Sequence, residues 1–271
     1  MYEEIQACAA VIKAKIGDRQ PVIAVVLGSG LNQLADILVD PIRIAYTDLP
    51  GFTKPTVMGH SGTLHVGMLA GKMVCCLQGR VHGYEGVAED RLGYPTRVMA
   101  ALGVEVMLLT NAAGSLMPEA GPGNLMLITD HINMMGLNPL IGVNDDRIGL
   151  RFPDMTDAWD LALNAKMKAA AEALSIPLYQ GVYVGVRGPN FETPAEIKMM
   201  QMLGGGGVGM STIPELLAAR HAGMTVVGVS SLTNFAAGIT GEEINHEEVM
   251  EVGLETGETL AKLITGFIKS L

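Results

Sequence analysis

The stretch from Val186 to Glu196, Val-Arg-Gly-Pro-Asn-Phe-Glu-Thr-Pro-Ala-Glu, sets a ring and a carboxylate side by side at a strand-to-helix turn. Phe191 can stack on a planar ligand, and Glu192 can accept N–H donors from its edge. Thr193 and Glu196 have the spacing of a capping box, and Pro194 falls at the first helical position, where its missing N–H costs nothing. On their own these residues fit a solvated turn equally well. A second group lies in Gly79-Arg80-Val81-His82-Gly83-Tyr84-Glu85-Gly86. If the chain stays extended, Arg80, His82 and Tyr84 share one face. Arginine offers paired planar donors to an oxyanion and histidine adds a donor that can be charged or neutral, with Glu85 placed to orient the arginine. Three further polar signals sit at strand ends or helix starts. Ser29 lies in Gly28-Ser29-Gly30, Ser211 precedes Thr212-Ile213-Pro214-Glu215, and Asn234 closes Ser231-Leu232-Thr233-Asn234. His246 follows Asn245 in the first turn of a helix, where the dipole favours its neutral form.

The elements that must position these residues alternate in the α/β manner. Residues 3–15 have the pattern of a surface helix. The continuous apolar run 21–27 reads as a strand buried on both faces, followed by helical spacing of Leu31, Leu34, Ala35 and Leu38. Runs 63–69 and 72–77 form a hairpin through Ala70-Gly71. A helix over 92–103 precedes a buried strand, 104–110, and Leu125–Ile128 is another strand. The segment 132–156 is rich in Asn, Gly and Pro, and a loop of that length is functional or interfacial. It carries Phe152, a ring with no evident core. A helix over 157–174, a strand near 178–186, a flexible glycine run at 203–211, a second capping box at Thr212/Glu215 and a strand over 224–229 complete the pattern, before a long helix capped by Asn245. No repeat or linker divides the chain, so 1–271 reads as one domain.

Several chemistries are excluded. Gln33 stands where a dinucleotide fingerprint needs its third glycine. No nucleophile elbow of the GxSxG kind is present, and no histidine or cysteine set has metal-ligand spacing. The lone His131 and His221 read as structural. A formal net charge of -10 argues against nucleic acid as a partner. No run approaches a membrane span, and the acidic N-terminus lacks the basic region of a signal peptide. Cys8, Cys75 and Cys76 read as reduced core residues, which points to the cytoplasm.

In order along the chain, GSGL (28–31), GH (59–60), GRVHGYEG (79–86), TNAAGSL (110–116), GPNFETPAE (188–196), VGMSTIPE (208–215), SLTN (231–234) and NHEEV (245–249) resemble the trimeric purine nucleoside phosphorylase family. The resemblance implies a central mixed sheet flanked by helices, a homotrimer, and phosphorolysis of purine nucleosides to free base and ribose 1-phosphate. Phosphate is then a co-substrate, and no metal or other cofactor is expected. Carried over residue by residue, Ser29, Arg80, His82, the Ala112 backbone and Ser211 match phosphate ligands, with His60 nearby. Tyr84, Met210 and His246 match ribose contacts, His246 as partner of the 5′-hydroxyl. Phe191, Glu192, Val208 and Asn234 match the purine pocket, and Phe152 matches a ring inserted over the sugar by a neighbouring subunit. Within this reading His82, Glu192, Asn234 and His246 carry the catalysis. An amide at Asn234, where relatives acting on methylthioadenosine have aspartate, implies inosine and guanosine as substrates, with xanthosine a third possibility. The departures are Asn32 for a glycine, Phe235 for the mammalian lysine, Arg187 for a neutral residue, and Gly205 to Gly207 for bulkier residues. The glycines imply a looser approach to Val208. A nucleoside-binding module and a water-using nucleosidase are the rival classes, and neither needs a phosphate cradle.

Overall fold

The computed structural model describes the backbone of all residues except Met58 and Glu242, and of His246 it describes the backbone alone. The elements are α1 (Tyr2–Ile16), β1 (Ile23–Leu27), α2 (Gln33–Asp36), β2 (Val39–Ala45), β3 (Thr63–Leu69), β4 (Lys72–Gln78), α3 (Glu89–Leu92), α4 (Tyr94–Ala101), β5 (Val106–Ser115), β6 (Asn124–Asn133), α5 (Leu161–Ala173), β7 (Leu178–Gly185), α6 (Pro194–Met202), β8 (Gly205–Gly209), α7 (Ile213–His221), β9 (Thr225–Phe235) and α8 (His246–Ser270). One mixed sheet runs in the order β2-β3-β4-β1-β5-β8-β7-β6-β9, and a further pairing of β5 with β9 closes its last five strands into a ring. The expected α/β class with a central sheet between helices is what folds.

Burial on both faces explains the apolar runs. Every residue of β1 is buried, because β1 pairs in parallel with β4 on one side and β5 on the other while helices cover both faces. Cys75 and Cys76, adjacent on β4, belong to different apolar clusters, one on each side of the sheet. All three cysteines are buried and free. Among the described residues no helix is long and apolar enough to cross a membrane.

Three elements differ from the sequence expectations. The four apolar residues after Gly30 are buried as expected, but only one helical turn, α2, forms before the chain enters β2. Strands β5, β6 and β9 run on through polar motifs that read as loops, so Asn111, Ala112 and Asn234 are strand residues. The glycine run is not a flexible linker. It is β8, seated in the closed ring between β5 and β7. A Cβ on Gly205 would come within 2.7 Å of Val184 and 2.8 Å of Leu116, and one on Gly206 within 3.0 Å of the Gly181 backbone. Glycine is needed there for close approach of neighbours, not for freedom. The looser approach to Val208 is therefore overturned: Val208 is buried in a cluster with Leu116, Val184 and Ile197.

Candidate active site

The C-terminal ends of β1 and β5 converge because Gly28 lacks a side chain, and a Cβ there would come within 2.7 Å of the Asn111 Cα. The Gly28 amide donates to Thr110 Oγ1 (3.1 Å), and the turn that follows takes a left-handed residue at Gly30 (φ 75°). Beside it, Ser29 Oγ lies 3.0 Å from His60 Nε2. His60 is buried, and burial, reinforced by the neighbouring His82 and Arg80, pushes its pKa down to about 3. It is neutral at physiological pH. Asn32 ties this turn to the same loop through a bond from Nδ2 to the Gly59 carbonyl (3.3 Å).

After β4 the chain enters the Arg80–Tyr84 segment. Rather than staying extended it tightens into a turn at Gly83–Glu85, and the Tyr84 ring stacks on His82 (centroids 4.9 Å apart, 13° between planes). Glu85 does not orient the arginine. Its carboxylate accepts from the His82 amide (2.7 Å), from the Thr56 amide and hydroxyl (2.7 and 2.6 Å), and lies 3.1 Å from His82 Nδ1. Burial alone would raise its pKa, but the hydrogen bonds from His82 and Thr56 prevail and hold it at about 2. An ionised Glu85 makes Nδ1 the donor and leaves His82 Nε2 for a ligand.

The partner of Arg80 is Glu215, on the first turn of α7, with Nε and Oε1 2.9 Å apart. Arg80 Nη1 donates to Ser211 Oγ (2.9 Å) and Thr212 Oγ1 (3.2 Å), and Nη2 donates to the Thr110 carbonyl (2.6 Å). The expected capping box at Thr212 and Glu215 is therefore absent: no side chain caps α7, because both halves of the pair are turned onto Arg80. The capping box at Thr193 and Glu196 does form, with Glu196 Oε2 accepting from the Thr193 amide (2.7 Å) and Thr193 Oγ1 from the Glu196 amide (3.3 Å).

That cap fixes Phe191 and Glu192 at the mouth of a cavity of about 340 Å³. The cavity brings together Ser29, Arg80, His82, Ala112 and Ser211 at one end and Phe191, Glu192, Val208 and Asn234 at the other, with Tyr84 and Met210 also on its wall. Burial raises the Glu192 pKa above the ordinary carboxylate value. Asn234 Nδ2 donates to the Phe235 carbonyl (2.9 Å) and Oδ1 accepts from Thr233 Oγ1 (3.1 Å), which leaves one amide N–H for a ligand. Gly114 gives this amide its space, since a Cβ there would come within 3.3 Å of Nδ2. Phe235, in place of lysine, packs its ring against Gly121.

Two residues stand apart from this cavity and a third is described only in part. His60 sits behind Ser29 rather than on the wall. Phe152 is 87% exposed and does not line the cavity, with the Arg151 guanidinium 5.7 Å from its ring centroid. The His246 side chain lies outside the described residues; its helix, capped by Asn245 Oδ1 on the Glu247 amide (2.9 Å), reaches the wall through Val249. The lone histidines are structural as expected: His131 accepts from Trp159 Nε1 (3.2 Å), and His221 lies 3.0 Å from Asn144 Oδ1. Arg187 opens onto a second cavity of about 260 Å³ that shares Glu192, and Nη2 donates to the Gly136 carbonyl (3.2 Å). Sequence reasoning missed Asn111, Thr212, Glu215 and Thr233. All four lie inside the matched motifs, and for Thr212 and Glu215 a local capping signal masked a long-range one.

The closed mixed sheet carries one cavity with arginine, histidine and serine side chains at one end and a ring, a carboxylate and an amide at the other. The chain belongs to the phosphorylase superfamily, whose family model matches residues 22–269, and within it to the purine nucleoside phosphorylases. It is similar to a purine nucleoside phosphorylase of Bacillus subtilis, 46% identical over 268 residues that span 99% of this chain and 98% of the relative. The mouse enzyme of that name is 42% identical over 259 residues, 93% of this chain and 90% of the relative. A crystal structure of the Schistosoma mansoni enzyme with inosine superposes with a TM-score of 0.94 at 39% identity, covering 99% of this chain and 96% of the other. Another structure of that enzyme holds adenosine, again with a TM-score of 0.94, at 39% identity and covering 99% and 97% of the two chains.

Proposed function

We propose that this protein catalyses the reversible phosphorolysis of 6-oxopurine ribonucleosides and deoxyribonucleosides, inosine and guanosine foremost, to free base and (deoxy)ribose 1-phosphate. The observation that carries the reading is the single cavity with oxyanion donors at one end and a ring, carboxylate and amide at the other. Inorganic phosphate is a co-substrate held by Ser29, Arg80, His82, the Ala112 backbone and Ser211, with His60 supporting Ser29. Tyr84, Met210 and His246 take the ribose. Phe191 stacks on the purine against Val208, Glu192 accepts from N1–H and any 2-amino group, and Asn234 donates to N7.

Catalysis then follows from charge placement. As the C1′–N9 bond lengthens, the sugar gains positive charge and the purine negative charge. Phosphate fixed below C1′ stabilises the cationic sugar and attacks it, forming the C1′–O bond, while the Asn234 amide meets the electron density arriving at N7. No covalent enzyme intermediate and no metal enters this sequence. The chain works as one domain in a cytoplasmic homotrimer, in which Phe152, exposed on a loop with Ile141, Val143 and Leu150, covers the ribose of a neighbouring subunit. The three free buried cysteines suit a reducing compartment.

A phosphate-dependence assay with inosine, guanosine, xanthosine and adenosine tests the reading. Release of hypoxanthine and guanine that requires phosphate is expected. Cleavage indifferent to phosphate would make the protein a nucleosidase, and binding without cleavage a nucleoside carrier. Preference for adenosine would overturn the role given to Asn234.

A further inference from the structure

Thr212 is buried, yet it has φ 73° and ψ -48°, a left-handed conformation that β-branched residues rarely adopt. The Ile213 amide donates to the Ser211 carbonyl (2.8 Å), so Thr212 is the centre of a three-residue γ-turn of the rare, strained kind. Such a turn changes the direction of side chains. In an extended chain neighbouring side chains point to opposite faces. Here the hydroxyls of Ser211 and Thr212 lie 3.0 Å apart, and both receive Arg80 Nη1. The strain persists because it is over-determined, with Asn111 Nδ2 as a further donor to Thr212 Oγ1 (2.9 Å).

The network also fixes where the hydroxyls stand. Thr212 Oγ1 accepts from Arg80 and from Asn111 Nδ2, and it pairs with Ser211 Oγ. Ser211 Oγ, accepting from Arg80 and flanked by the buried Tyr183 hydroxyl, is thereby held on the cavity wall. Glu215 adds a second constraint. Paired with Arg80 at 2.9 Å and buried with it, it offsets the charge of the guanidinium. With that charge offset, an anion in the cavity is recognised by aimed donors more than by net charge.

We infer that Thr212 is a positioning residue: its strained turn and its hydroxyl fix Arg80 and hold the Ser211 hydroxyl on the cavity wall for the phosphate co-substrate. This rests on the reading of Arg80 and Ser211 as phosphate ligands. Steady-state kinetics with inosine and phosphate, each varied in turn, test it on Thr212→Val, Thr212→Gly and Thr212→Ser. The hydroxyl-free Val and Gly variants should raise the KM for phosphate about tenfold, the effect of losing one hydrogen bond in a charged network. The KM for inosine should stay within about twofold. Thr212→Ser should restore the phosphate KM. Thr212→Gly relieves the left-handed strain, so it separates loss of the hydroxyl from loss of the fold. A normal phosphate KM in Thr212→Gly, an equal rise in both KM values, or failure of Thr212→Ser to rescue would overturn the inference. Wild-type cleavage that ignores phosphate would instead sink the reading of the site beneath it.

Discussion

The two ends of the cavity are built to different standards. At the oxyanion end Arg80 is 6% exposed and its guanidinium already holds bonds to three residues besides its ion pair with Glu215. At the purine end Phe191 is 40% exposed, and Glu192 is half-buried with no side-chain partner among the described residues. The difference suits the chemistry that the proposed function gives each end. A buried charge needs fixed partners before any ligand arrives, or its desolvation opposes folding. A ring and a carboxylate proposed to read a neutral base can stay open, since the ligand itself completes their burial. In that reading the rigid end sets where the reaction happens, and the open end decides what enters.

Breaking the rigid end should have the largest effect. Arg80→Met removes the one guanidinium N–H left for the anion and the group that holds Ser211 in place, and should lower kcat about a hundredfold to a thousandfold. It also leaves Glu215 a buried carboxylate without its cation, so the melting temperature should fall as well. An unchanged melting temperature in this variant would contradict the view of Arg80 and Glu215 as one structural unit. Glu192→Gln sharpens the contrast from the other side. Phosphorolysis of inosine should drop about tenfold, because the neutral amide oxygen is a weaker acceptor for N1–H than the carboxylate. Stability should hold or rise, since burial disfavours the charged form of this carboxylate. A loss of stability like that of Arg80→Met would erase the distinction between the two ends.

Acid should attack the oxyanion end first. His60 falls from an ordinary 6.5 to about 3, and Glu85 from 4.5 to about 2. Between those values each group binds more protons in the unfolded chain than in the folded one, so stability is lost as pH falls through the window. For His60 the loss is about 2 kcal/mol between pH 7 and pH 5. Urea midpoints measured across that range should decline in the wild type and decline less steeply in His60→Asn, the remaining slope coming from His65, His131 and His221, whose pKa values burial also lowers. Parallel declines in both would remove His60 as the cause. The smallest effect belongs to the open end: Phe191→Leu should raise the KM for inosine by about twofold to tenfold, the worth of an aromatic stack, and leave the KM for phosphate alone. A rise in the phosphate KM instead would show that the ends are coupled.

Local signals were legible and long-range ones were not. Thr193, Pro194 and Glu196 spelled out a helix start that forms as written, because a capping box is satisfied within four residues. The same four-residue grammar misled at Thr212 and Glu215, where a buried arginine 132 or more residues away in sequence competes for both side chains and wins. Glu85 was the nearest carboxylate to Arg80 in sequence, yet it serves His82 and Thr56. Gly205 to Gly207 could not show themselves as a strand, having no side chains to alternate; only the bulk of Met126, Val184 and Leu116 around them explains their seat in the sheet. The motifs named residues that the fold brings to one cavity, from Ser29, Arg80 and His82 to Phe191, Glu192 and Asn234, while Phe152 and His60 lie off its wall. What they could not supply was which elements meet, because the cavity is assembled from β1, β5, β8, β9 and the turns between them.

Strands β5 and β9 run side by side, in parallel, for their full length. Ala112 stands opposite Ser231, and after an irregularity at Ala113 and Gly114 the register resumes with Gly114 opposite Asn234. In the proposed function the Ala112 backbone, offered to phosphate, and the Asn234 amide, offered to the purine, are thus graduations on one ruler, marked at the spacing of a strand, about 3.3 Å per residue. A slip of one residue would turn each side chain to the other face of the sheet. Under the proposed function this spacing sets a length for the substrate as well as a chemistry: one pentose between base and anion.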